Sequence, residues 1–67
     1  MVVHRTFAAS LRDPRSDQVF ERHEALREEV QGFINRDVGL EQVVNVSETS
    51  CSFGLVVLLS ITVWYRQ

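Results

Sequence analysis

Any chemistry in this 67-residue sequence would have to come from two histidines, one cysteine and a run of glutamates. His23 falls inside an apolar stripe, four residues after Val19 and three before Leu26. Such a histidine is either a ligand or proton donor at a helix–sheet boundary, or a core-edge residue with a backbone or solvent partner. Its apolar neighbours favour the second. His4 lies in an alternating segment read as a solvated edge strand. His4, His23 and Cys51 could hold a metal only if three distant segments converged, because no pair has the local spacing of a zinc site. Cys51 has Glu48 nearby but no neighbouring base, cation or helix N-terminus to make it a nucleophile. Glu21, Glu24, Glu28 and Glu29 read as a solvated helix face rather than an acid/base pair. No P-loop, glycine-rich dinucleotide turn or nucleophile elbow is present. The sequence thus predicts no catalytic residue, no cofactor and no metal.

Composition narrows the remaining classes. Seven arginines, no lysine and nine acidic residues give a formal net charge of −2. Nucleic-acid binders usually carry a clustered basic excess, so that class is not expected. A single cysteine cannot form an intrachain disulfide framework. No basic leader precedes a long apolar run near Met1, so no cleaved secretory signal is expected, and Asn45-Val46-Ser47 reads as a chance match to the glycosylation pattern. Residues 1–67 are expected to form one small domain. Chains this short bury only about 60% of their unfolded surface, which makes association the natural remedy for a thin core.

The elements that must position these side chains follow from periodicity. Residues 2–11 alternate, with Val3, Phe7, Ala9 and Leu11 on one side and His4, Thr6, Ala8 and Ser10 on the other. Arg5 interrupts the apolar side and suggests a strand that starts at a solvated edge. Arg12-Asp13-Pro14 breaks it, with Asp13 or Ser16 as candidate helix caps. From residue 17 to 36 the period becomes helical, and Val19, Leu26, Val30, Phe33 and Ile34 form the buried stripe. Phe20 flanks that stripe, while Glu21, Glu24, Glu28 and Asn35 point away. Gly39 supplies the exit.

Residues 42–48 read as a short strand with Val44 and Val46 on one face. Residues 49–52, with Gly54, read as a polar turn. Residues 53–65 form the last strand, rich in β-branched side chains. Its odd positions, from Leu55 to Tyr65, are all apolar. Its even positions are Val56, Leu58, Ser60, Thr62 and Trp64. A strand apolar on both faces belongs in the middle of a sheet. The expected fold is therefore α+β, in the order β-α-β-β, with a three-stranded mainly antiparallel sheet ordered 1-3-2 and a right-handed first crossover.

One helix covers one face, and the odd side chains of the last strand should meet it. The other face, carrying Val56, Leu58, Ser60, Thr62 and Trp64, is the candidate interface for a second copy or a protein partner. A different class competes with this reading. Residues 49–65 carry no charge and end in Trp64-Tyr65-Arg66, so a C-terminal membrane segment is the alternative, although seventeen residues is the short end of a spanning helix. Finally, Ile61-Thr62-Val63-Trp64-Tyr65-Arg66, preceded by Val44, Val46, Ser47 and Glu48, resembles the end of certain small bacterial proteins of strand–helix–strand–strand pattern. That resemblance implies a cytoplasmic protein without a known activity, and it assigns no functional residue.

Overall fold

The computed structural model describes residues 1–67, with three strands of eleven residues each and one long helix. They follow as β1 (Val2–Arg12), α1 (Ser16–Phe33), β2 (Val43–Phe53) and β3 (Val56–Arg66). The sheet order is β1-β3-β2, and β3 runs antiparallel to both neighbours. This is the α+β arrangement expected from the two-faced apolarity of the last strand.

The core lies between α1 and β3. Leu26 and Val30 of the helix pack with Leu59, Ile61 and Val63, all at most 6% exposed. Phe7, Ala9 and Leu11 of β1, with Val57 and Tyr65 of β3, fill its margins. Phe33 closes one end, its ring 5.4 Å from that of Phe7 and 5.6 Å from that of Tyr65. Arg5 is exposed, as the solvated edge implies, yet its head group stays over the apolar side. Its guanidinium lies 5.0 Å from the Phe7 ring centre and 4.9 Å from that of Phe33, a cation–π lid on this cluster. The odd positions of β3 from Val57 to Tyr65 face the helix as expected, but Leu55 does not. It sits in the β2–β3 turn and is 61% exposed.

Both helix ends differ from expectation. Neither Asp13 nor Ser16 caps α1. Asp13 has φ +48° and donates its backbone N–H to the Leu55 carbonyl, which holds it outside the helix. Ser16 is already the first helical residue, and Arg15 stands at the cap with its N–H bonded to the Gln18 side chain at 2.9 Å. The α-helix ends at Phe33 rather than Arg36. A π-helical turn, Ile34–Val38, follows and closes with the Gly39 N–H on the Ile34 carbonyl at 2.7 Å. Gly39, at φ +88°, makes the exit, and a short 3₁₀ turn, Leu40–Gln42, leads into β2.

The largest correction concerns β2. Residues 49–52 are not a turn: Thr49 pairs with Ser60, and Cys51 with Leu58. No residue of this strand is buried, so the apolar alternation by which strands are recognised is missing from its second half. The true turn is Gly54-Leu55. Gly54 has φ +57° at the first central position, as a two-residue type II′ hairpin requires. At the other end, Val43 pairs with Tyr65 and Asn45 with Trp64, leaving Val44 as the extra residue of a β-bulge. The bulge puts Val43, not Val44, on the same side as Val46, toward the helix. The Asn45 side chain steadies it by accepting the Val46 N–H at 2.9 Å. Residues 49–65 are therefore two strands and a turn, and no helix is long and apolar enough to cross a membrane.

Candidate interaction surface on the open sheet face

Strand register determines which side chains share the face opposite the helix. Directly paired residues point the same way, so Val56, Leu58, Ser60, Thr62 and Trp64 are flanked on β1 by Arg12, Ser10, Ala8, Thr6 and His4. On β2 the neighbours are Phe53, Cys51, Thr49, Ser47 and Asn45. Small side chains occupy the middle. Ala8, Ser10, Thr49, Cys51, Leu58 and Ser60 line a shallow hollow of about 420 Å³. Bulk stands at both ends, with Trp64 beside His4 (rings 6.3 Å apart) at one and Phe53 with Val56 at the other.

Four hydroxyls at the middle of this face pair across the strands. Thr6 and Thr62 share a hydroxyl hydrogen bond of 2.9 Å across β1 and β3, and Thr49 and Ser60 share one of 2.6 Å across β2 and β3. Burying a paired hydroxyl is far less costly than burying a free one. Charge is equally one-sided. None of the nine acidic residues lies on this face, and its only arginines, Arg12 and Arg66, stand at the strand ends. Leu58 is 39% and Phe53 66% exposed, whereas Val56, Ser60, Thr62 and Trp64 are half-buried by their neighbours.

The other candidate residues are dispersed. His4 and Cys51 lie on the open face several rows apart, and His23 lies on the helix side. No three metal-ligating side chains gather anywhere. The His23 Nε2 has no hydrogen-bond partner and stands 3.9 Å from Glu48 Oε2. Glu48 itself is engaged by Arg27, with Nε to Oε1 at 2.9 Å and Nη2 to Oε2 at 3.0 Å. Arg27 also reaches Glu24 at 3.0 Å. Hydrogen bonds from Arg27 hold the Glu48 carboxyl below its usual range, and Glu48 in turn raises Arg27. This fork clasps α1 to β2, which the helix otherwise leaves uncovered, and beside it runs a groove of about 300 Å³ walled by Val30, Ile34, Leu40 and Val46.

Sequence reasoning reached the β3 residues of the open face but missed its flanks. On β1 the alternation of Thr6, Ala8 and Ser10 was legible and only its pairing was not, whereas Ser47, Thr49 and Cys51 of β2 lie in an unbroken polar run with no alternating signal. Comparison with family models, with curated proteins and with solved structures gives no match to this chain.

Proposed function

We propose that the chain is a non-enzymatic association module that homodimerises through its open sheet face. The observation that carries this reading is a face with a small-residue centre, no carboxylate and two cross-strand hydroxyl pairs, opposite a single covering helix. A monomer with six buried side chains has little core to spare, and a second copy supplies the missing layer. Two identical faces without acidic groups, with cations only at their ends, meet without central charge repulsion. The area suffices. Strands of eleven residues at a spacing of about 4.8 Å present roughly 500 Å² per copy, so a pair buries on the order of 1,000 Å², the threshold for a specific interface. The reading places the module in the cytoplasm, where an exposed free thiol such as Cys51 stays reduced.

Sedimentation velocity on the full chain tests it directly. The wild type is expected to sediment as a dimer, and Leu58→Glu and Trp64→Ala as folded monomers. A monomeric wild type, or a dimer indifferent to Leu58→Glu, would overturn the proposal.

A further inference from the structure

The distribution of bulk on the open face specifies how two copies meet. This step rests on the dimer reading above. Face-to-face packing of two identical sheets places a two-fold axis between the layers, and in aligned packing that axis runs close to the strand direction or close to its perpendicular. We propose that it crosses the strands at the level of Ser60, so that Trp64 packs on the partner's Val56 and Phe53 end.

Three arrangements compete, and side-chain size separates them. With the axis along the strands, each β3 residue faces its own copy. Trp64 then opposes a second indole at one end while valine opposes valine at the other. Along β3 the contact would be uneven, indole on indole at one end and small serines facing one another in the middle, and the layers could not close at Ser60. With the axis across the strands at Thr62, Trp64 would enter the partner's central hollow. That offset leaves Val56 and Phe53 beyond the overlap, and Phe53 is already 66% exposed. With the axis at Ser60, Trp64 faces Val56, Leu58 faces Thr62, and Ser60 faces itself. Large meets medium at both ends, so the layers stay parallel. All five β3 residues are covered. The row of Ala8, Ser60 and Thr49 falls on the axis, where small side chains let the layers close to contact.

Hydroxyl pairing fits this centre. Thr49 and Ser60 already share one hydrogen bond, so burying the row on the axis leaves one hydroxyl hydrogen of each pair to be met by the facing copy. Along β2, the single native cysteine lies one row off the axis, at the level of Leu58.

Short bis-thiol cross-linking of single-cysteine variants measures the register. In a Cys51→Ser background, Leu58→Cys, Ser60→Cys and Thr62→Cys are each confirmed as dimers by sedimentation and then treated with a short bis-methanethiosulfonate. The expected result is covalent dimer at Ser60→Cys forming at least tenfold faster than at the other two. Equal rates at all three would place the axis along the strands, and a maximum at Thr62→Cys would establish the offset packing. Either outcome overturns the register and leaves the face as the interface. Dimers that cross-link at none of the three positions would locate the contact elsewhere and overturn both readings.

Discussion

Arg27 grips both carboxylate oxygens of Glu48, through Nε at 2.9 Å and Nη2 at 3.0 Å, and this fork is the main polar tie between α1 and β2. The folded-state pKa of Glu48 lies below its unfolded value, because Arg27 stabilises the charged form. Stability from the fork is therefore fully present above the unfolded pKa and is lost as pH falls through the folded one. Glu48→Gln is expected to lower the melting temperature at pH 7, with the difference shrinking as pH falls through the folded-state pKa and vanishing once Glu48 is protonated in both states. Thermal denaturation of the two proteins across that range gives the answer. A difference that persists undiminished in acid would assign the effect to packing rather than charge. Both partners are substantially exposed, so the loss should be modest and should shrink further in high salt.

Two glycines should respond in opposite directions. Gly32 lies inside α1, where glycine costs about 0.5–1 kcal/mol relative to alanine. An added Cβ would come within 3.1 Å of the Arg36 guanidinium, the far end of a flexible side chain that can move aside. Gly32→Ala is expected to raise unfolding free energy by about that amount. Gly39 stands at φ +88°, and a Cβ there would lie 2.8 Å from Glu41 Oε1. Gly39→Ala should cost about 1–3 kcal/mol, the usual magnitude of backbone strain in a sparsely populated region. Urea denaturation at fixed protein concentration measures both.

How much of this was legible in the sequence follows from where burial leaves a mark. The spacing of Leu26, Val30 and Phe33 and the odd positions of β3 are periodic because one side of each element is dry, and both gave the right assignment. β2 has no buried residue, so nothing in its second half alternates, and serines and threonines there read as a turn. The bulge at Val44 reversed the facing of its neighbours, since one extra residue flips every side chain before it. Arg5 looked like an interruption because a cation on an apolar side is recognised only when the rings beneath it are known. At the candidate surface, the β3 half was readable from the strand itself. Its hydroxyl-rich flanks needed the register, which no local pattern specifies.

The two faces of β3 should differ sharply in their tolerance. Ile61 is 1% exposed and sits between Leu26, Val30 and the neighbouring strands. Ile61→Ala removes buried methylenes and leaves a cavity, at a cost of about 2–5 kcal/mol. Small domains have only about 5–15 kcal/mol in total, so this variant should be marginally folded. Thr62, one residue later, points to the open face and shares one hydrogen bond with Thr6. Thr62→Ala should cost about 0.5–1.5 kcal/mol, the net worth of such a bond. Circular dichroism melts of the pair test the contrast, and equal losses would contradict the assignment of faces.

The open face carries two native reporters, because the only tryptophan and the only cysteine of the chain both lie on it. Trp64 is half-buried within one copy and Cys51 is exposed. If a second copy covers the face, dilution should expose both together. The Trp64 emission should shift to the red as protein concentration falls. Over the same range, the reaction of Cys51 with a thiol-specific disulfide reagent should accelerate by at least tenfold. Leu58→Glu, directly opposite Cys51 in the β2–β3 ladder, should show the dilute values at every concentration. An edge-to-edge dimer would sediment in the same way but would leave the Trp64 emission constant, because Trp64 lies on the central strand, and through β1 it would leave Cys51 equally untouched. Agreement of the two midpoints with the sedimentation constant therefore distinguishes association through this face from association through a strand edge.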